Sequence, residues 1–333
     1  MKYLTTFVSL AALTAMAGIA NAEDVNPAVI FDLGGKFDRS FNQASYEGAE
    51  RFKEETGIDY REFELQSDAQ REQALRKFAR DGHNPVVVAG FSYGSAMETV
   101  AAEFPETDFA IIDMVVDLPN VRSVVFNEHE GSYLVGMLAA MASETGKVGF
   151  VGGMDIPLIR KFACGYVQGA KAANPDAEVF QNMTGSTGAA WNDPVKGGEL
   201  AKSQIDRGAD VIYHAAGGTG IGVLQAAADA GALGIGVDSN QNYIHPGQVL
   251  TSMLKRVDVA VYNAMMDVQE GNWSTGINVM GLAENGVGYA VDENNEELIT
   301  PEMVEAVEAA KESIIAGDTV VHDYMKDDSC PVS

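Results

Sequence analysis

Carboxylates, amides, glycines and an aromatic ring crowd into Asp32 to Gln43 (DLGGKFDRSFNQ), directly behind the apolar run PAVIFDL. Groups of the same type end the other apolar runs. Phe91-Ser92-Tyr93-Gly94 follows one, and Asp113 ends the next. Further on come Gly152-Gly153-Met154, Trp191-Asn192-Asp193, Ala216-Gly217-Gly218-Thr219, Asp238-Ser239-Asn240 and Lys255. Aromatic faces suit a flat, neutral ring that can stack. An ionised carboxylate only accepts hydrogen bonds, so it suits hydroxyl groups or ring N–H donors. Glycines let backbone N–H groups approach closely, and helix N-termini add donors. Taken singly, Asp32 and Asp113 read equally well as strand-end caps, Phe41 and Trp191 as core, and Lys255 as a solvated charge. Their recurrence at most strand ends favours a binding cleft.

The same residues exclude several reactions. No nucleophile stands one helical turn from a base, and the serines of FSYGSAM do not form a G-x-S-x-G elbow. GGTGIG at Gly217 to Gly222 does not fit the dinucleotide fingerprint, and neighbouring acids would repel a pyrophosphate. The five histidines are scattered, with no Cys/His cluster at metal-ligand spacing. The expectation is a protein that is not an enzyme and needs no cofactor or metal.

Strand-like and helix-like segments alternate along the chain. PAVIFDL, IDYREFEL, NPVVVAGF, TDFAIIDMVV and VRSVVFNE read as strands, with helices over Ser40 to Thr56, Asp68 to Asp81 and through SAMETVAAEF. Near-continuous Val/Ile/Phe runs mark strands buried on both faces, and the alternation predicts α/β architecture with parallel sheets. The pattern restarts with a helix from Glu130 to Ser143. KVGFVGG, AEVFQNMTG, ADVIYHAAGG and LGIGVDSN follow as strands separated by helices. Late in the chain GQVLTSMLK reads as a strand, RVDVAVYNAMMDVQEG as a helix and INVMGLAENGVGYAV as strand-rich. A Thr-capped, Pro-started helix begins at TPEM. A helix between two extended segments is what a chain needs to visit its first domain and return.

The 333-residue length suggests two domains. With Lys+Arg 22 against Asp+Glu 48, the net charge of -26 offers no basic stripe for nucleic acid or anionic lipid. Met1-Lys2, an apolar run and Ala20-Asn21-Ala22 have the layout of a signal peptide over residues 1–22, cleaved before Glu23. No Cys stands at that point, so the expectation is a periplasmic protein without a lipid anchor. Export permits a disulfide; Cys164 and Cys330 could join and staple the C-terminal tail, or stay apart.

The segments DLGGKFDRSFNQASYEGA, NEHEGSYLVGMLAA, KVGFVGG, AWNDPVKGGELA, AAGGTGIGVLQAA, GIGVDSNQ and VLTSMLKRVDVAV together resemble the basic membrane protein (BMP) family. These are periplasmic substrate-binding components of ABC transporters, a group that includes purine nucleoside receptor A. The resemblance implies two Rossmann-like domains joined by three crossings, the type I periplasmic binding protein fold. It divides the chain into a first lobe of residues 23–126 plus 251–276, a second of 127–250 plus 277–328, and a tail of 329–333. It also implies that Asp32, Phe41, Asn42, Asp113, Asp238 and Lys255 contact a purine nucleoside. Trp191 is the expected opposing ring, and Gly217 and Gly218 would give backbone contacts. The implied partners of the monomer are that ligand and an inner-membrane permease. A free purine base as ligand, or a sensor that presents its ligand to a receptor, remain alternatives.

Overall fold

The structure is a computed structural model that describes residues 25–332. The expected signal peptide lies outside the described residues. The first lobe begins with β1 (Ala28–Phe31), α1 (Phe41–Thr56), β2 (Arg61–Glu64), α2 (Arg71–Arg80) and β3 (Val86–Ala89). It continues through α3 (Gly94–Glu103), β4 (Phe109–Ile112) and β5 (Val121–Phe126). Strands β1, β3 and β4 are AVIF, VVVA and FAII, and every residue in them is buried. Such strands need helices on both faces, and the helical connections between parallel neighbours supply them.

The second lobe contains α4 (Glu128–Ala142), β6 (Lys147–Met154), α5 (Pro157–Ala173), β7 (Glu178–Gly185) and α6 (Pro194–Ile205). It goes on to β8 (Val211–Ala215), α7 (Gly220–Asp229), β9 (Leu233–Asp238) and β10 (Val249–Lys255). The chain then crosses back for α8 (Val257–Gln269) and β11 (Gly276–Met280), and returns for β12 (Val287–Tyr289) and α9 (Pro301–Ala316). The result is two six-stranded sheets, ordered β11-β5-β4-β3-β1-β2 and β12-β10-β9-β8-β6-β7. All pairings are parallel except β10 with β12.

The lobe boundaries differ from expectation at the late crossings. Strand β10 pairs with β9, so it belongs to the second lobe, not the first. Strand β11 pairs with β5 and extends the first sheet, so the first lobe runs past the expected boundary at residue 276. Strand β11 is a sheet edge and β10 lies between β9 and β12, and an apolar run does not specify which sheet it joins. The three connections lie at Asn127, at Arg256 and over residues 281–286, and they bond to one another. The Asn127 N–H donates to the Met280 carbonyl at 3.0 Å and the Arg256 N–H to the Gly286 carbonyl at 2.8 Å. A disulfide joins Cys164 of α5 to Cys330, so the tail is fastened to the second lobe.

Candidate ligand-binding cleft

The strand ends of both sheets meet across a narrow cleft lined by side chains from both lobes. Its lining includes Asp32, Phe41, Asn42, Asp113, Trp191, Gly217, Asp238 and Lys255, all expected there from sequence. Gly218 is buried one residue behind Gly217 and is not part of the wall.

Asp32 follows β1. Its Oδ1 accepts from Arg71 Nη2 at 2.5 Å and from the Leu33 N–H at 2.8 Å. Burial pushes this carboxyl up, and the Arg71 guanidinium offsets only part of that. Arg71 is held in turn by Asp68. The other oxygen of Asp32 lies against Gly90, where a Cβ would come within 2.4 Å of it. Asn42 is also committed locally: its Oδ1 accepts the Asp32 N–H at 3.0 Å, and its Nδ2 donates to the carbonyls of Asp32 and Leu33 at 3.3 and 3.5 Å. The amide expected to touch ligand thus clamps the end of β1.

Asp38 was not anticipated. It accepts the N–H groups of Ser40, Asn42 and Gln43 at 2.8, 3.1 and 3.1 Å, satisfying donors at the start of α1. Burial nevertheless pushes its carboxyl up to about 6, against the pull of those bonds.

Asp113 and Asp238 end β4 and β9 with left-handed φ of 69° and 63°, a conformation that non-glycine residues seldom adopt. Burial raises both carboxyls, and Lys255 opposes the shift in each case. Lys255 Nζ donates to Asp113 Oδ2 at 2.7 Å and stands 2.9 Å from Glu128 Oε1. Burial would lower this ammonium, but Asp113, Glu128 and Asp238 together raise it, so it stays charged. Its Nζ also lies 5.3, 5.0 and 5.5 Å from the ring centroids of Phe41, Phe126 and Phe162. The lysine expected to meet ligand is thus already paired with acids. Asp113 Oδ1 is buried without a hydrogen-bond partner.

The lobes touch directly beside the cleft. Ser40 Oγ donates to Asp238 Oδ2 at 2.5 Å, Ser239 Oγ donates to the Ser40 carbonyl at 2.9 Å, and Gln241 Nε2 donates to the Arg39 carbonyl at 2.9 Å. This is a closed arrangement. Trp191 enters from the second lobe on a short turn (Gly188–Trp191). Its indole packs against Gly153, where a Cβ would come within 2.2 Å of the ring, so only glycine leaves room for it.

Glu128, Lys161, Arg71 and Phe162 complete the surroundings and were missed from sequence. Each acts through a partner far along the chain. The acids Asp32, Asp38, Asp113, Glu128 and Asp238 outnumber the cations Arg71, Lys161 and Lys255. The cleft therefore favours hydrogen-bond donors and disfavours anions. Among the described residues no group of His, Cys, Asp and Glu could hold a metal ion, and no helix is long and apolar enough to cross a membrane.

A cleft between two parallel-sheet lobes with three connections is an architecture of solute receptors. The family model for ABC transporter substrate-binding proteins of the PnrA-like (Bmp) type matches residues 26–323. The chain belongs to this family. It is therefore a transporter's substrate-binding protein rather than an enzyme, and its partners are a small-molecule ligand and a permease. An ABC transporter nucleoside-binding protein, BmpA, from Lactococcus lactis is 31% identical, covering 94% of this chain and 96% of its own. An uncharacterized lipoprotein from Pyrococcus abyssi is 36% identical, covering 80% of this chain and 69% of its own. A crystal structure of a solute-binding protein of an ABC transporter system from Aeropyrum pernix superposes with a TM-score of 0.82 at 33% identity, covering 90% of this chain and 94% of that one.

Proposed function

We propose that the protein binds a purine nucleoside between its lobes in the periplasm and presents it, as a closed monomer, to the permease. The observation that carries this reading is the unpartnered Asp113 Oδ1 in an acid-rich cleft lined by Phe41 and Trp191 from opposite lobes. Aromatic faces suit a purine, and a buried lone acceptor calls for an O–H or N–H donor on the ligand. The nucleoside-binding name of the Lactococcus lactis relative supports the same ligand class. Closure would follow from differential affinity, because a ligand that touches both lobes binds the closed form better.

Isothermal titration of refolded, ligand-stripped protein tests the reading. Adenosine, guanosine or inosine should bind, and the matching monophosphate should bind at least about 100-fold more weakly, because like charges brought together cost several kcal/mol. Equal affinity for adenosine and AMP would sink the assignment. Binding of adenine or hypoxanthine alone would move it to free bases. Release without a lipid anchor rests on the Ala20-Asn21-Ala22 site, although some relatives carry the name lipoprotein. The mass of the exported protein decides that: it should equal the chain from Glu23 with no acyl addition.

A further inference from the structure

We infer that Glu128, which has no place in the cleft wall, is a positioning residue for ligand binding. It fixes Lys255 at the hinge so that the ammonium holds one oxygen of Asp113 and leaves the other facing the ligand. This rests on the reading of the cleft as a nucleoside site.

Glu128 is the first residue of α4, just past the first crossing, and Lys255 is the last of β10, just before the second. Both side chains are almost wholly buried, at 1% and 2% exposure. Glu128 Oε1 lies 2.9 Å from Lys255 Nζ, and its Oε2 lies 2.9 Å from Lys161 Nζ. Lys161 on α5 also donates to the Phe126 carbonyl at 2.6 Å, the end of β5, and stands 3.8 Å from Asp323. Alternating charges therefore run Asp113–Lys255–Glu128–Lys161–Asp323, from the cleft to the segment leading to Cys330. Lys161, itself held by the Phe126 carbonyl, anchors Glu128 from the second lobe. Glu128 in turn stops Lys255 from swinging fully onto Asp113 and occupying both its oxygens. Asp113 Oδ1 stays bare for that reason. A bare, buried acceptor that loses its bareness cannot read a donor on the ligand.

The charged groups facing this arrangement are known. Asp113 faces Lys255, Glu128 and Asp238. Glu128 faces Lys255 and Lys161, while Lys161, Asp323, Glu128 and Lys326 surround His129. The negative charge of Glu128 helps to raise the Asp113 carboxyl. Removing it lowers that carboxyl, and a closer Lys255 lowers it further.

The test uses the full chain and the Glu128→Gln and Glu128→Asp variants. The ligand-free arm follows the Asp113 carboxyl carbon by NMR across pH. Its midpoint should move to lower pH in E128Q and return part-way in E128D. The ligand arm titrates adenosine and its 2′-, 3′- and 5′-deoxy analogues. E128Q should weaken adenosine about tenfold and flatten the discrimination against whichever deoxy analogue wild type rejects most. Glutamine keeps the volume and the thermal midpoint reports folding, so a folded E128Q with unchanged Asp113 titration overturns the inference. So does a uniform loss of affinity that keeps the discrimination. If wild type binds no nucleoside while the Asp113 midpoint moves as stated, the ligand reading fails and the hold of Glu128 on Lys255 stands.

Discussion

Asp32 and Asp113 leave the same edge of one sheet, from β1 and β4, and both reach the cleft. Their circumstances differ. Asp32 is paired with Arg71 of its own lobe, and its backbone is clamped by Asn42. Asp113 is paired with Lys255 from the other lobe, is held at a left-handed φ, and keeps one oxygen free. A carboxylate whose cation comes from its own lobe stabilises that lobe whatever the lobes do. One whose cation comes from across the cleft has its best partner only on closure. The chemistry of the two side chains is identical; the origin of the partner separates a folding element from a closing one.

The largest effect should come from removing the cation that crosses the cleft. Lys255→Met strands Asp113 and Glu128 in the interior, and breaking a buried pair in this way costs about 3–5 kcal/mol. Urea denaturation at pH 7.5 should show that loss, and titration should show no measurable nucleoside binding. Part of the stability should return at pH 5, where Asp113 takes up a proton. A variant as stable as wild type at pH 7.5 would mean that the acids there are already neutral.

Next come the paired changes that set the two carboxylates against each other. Arg71→Met breaks the circuit within the first lobe and should cost about 3 kcal/mol of stability, as for other broken buried pairs. Nucleoside affinity should fall less than about tenfold, roughly 1.4 kcal/mol. Asp113→Asn should do the reverse: a small stability change and an affinity loss of about 100-fold or more, as for a hydrogen bond to a charged, desolvated group. If R71M weakens binding as much as D113N does, the distinction between the two carboxylates collapses.

Proton uptake gives a smaller effect with a definite sign. Asp38 and Asp238 are pushed up to about 6 from an ordinary value of 3.8, and Asp113 is raised as well. A raised acid contributes stability below its unfolded value and loses it as pH climbs through the folded one. Each of these acids should therefore add about 1.4 kcal/mol to the stability of ligand-free protein as pH falls from 7 to 5, while the buried imidazoles of His129 and His214, pushed down to about 4, take away a comparable amount each over the same range. Glu128 does not oppose this: burial raises it, but Lys255 and Lys161 hold it well below its ordinary value, outside that window. Binding should run the other way. A donor on the ligand favours the ionised carboxylates, so affinity should fall below pH 6. Titrations in buffers of different ionisation enthalpy would detect proton release on binding at pH 6. Proton uptake instead would mean that the ligand meets these acids protonated.

Much of this was legible in the sequence because it is periodic or lies at a strand end. Buried strands announce themselves as Val/Ile/Phe runs, and Asp113, Asp238 and Lys255 end such runs. The remainder depends on what a residue meets, not on where it stands. Glu128 reads as the last residue of the strand VRSVVFNE, and nothing in NEHEGS tells of two lysines from β10 and α5. Asp38 looks like another polar loop residue; only the N–H groups of α1 show it to be a cap. Asn42 lines the cleft, yet its amide is turned to the backbone of Asp32 and Leu33, because a strand end needs its donors and acceptors matched. Strand β11 is mostly exposed, and its membership of the first sheet is a matter of edge geometry.

The smallest of these effects bears on closure itself. Ser40 Oγ supplies the contact between α1's leading turn and Asp238, and a second acceptor, the Val237 carbonyl, lies 3.3 Å away. Ser40→Ala deletes that donor and leaves the bonds from Ser239 and Gln241 in place. A hydrogen bond to a charged group contributes about 1.5–3 kcal/mol, and the remaining bonds and water should recover part of it. The expected net cost is about 1 kcal/mol, or roughly fivefold in the closed population. X-ray scattering of ligand-free protein should show a larger radius of gyration, and nucleoside affinity should fall by a similar factor, because the ligand must now supply what Ser40 did. Tighter binding would point to the opposite arrangement, in which Ser40 occupies Asp238 only until a ligand hydroxyl replaces it. Asp238 would then be held in reserve for the ligand, and closure would depend on the Ser239 and Gln241 bonds and on Asp113 with Lys255.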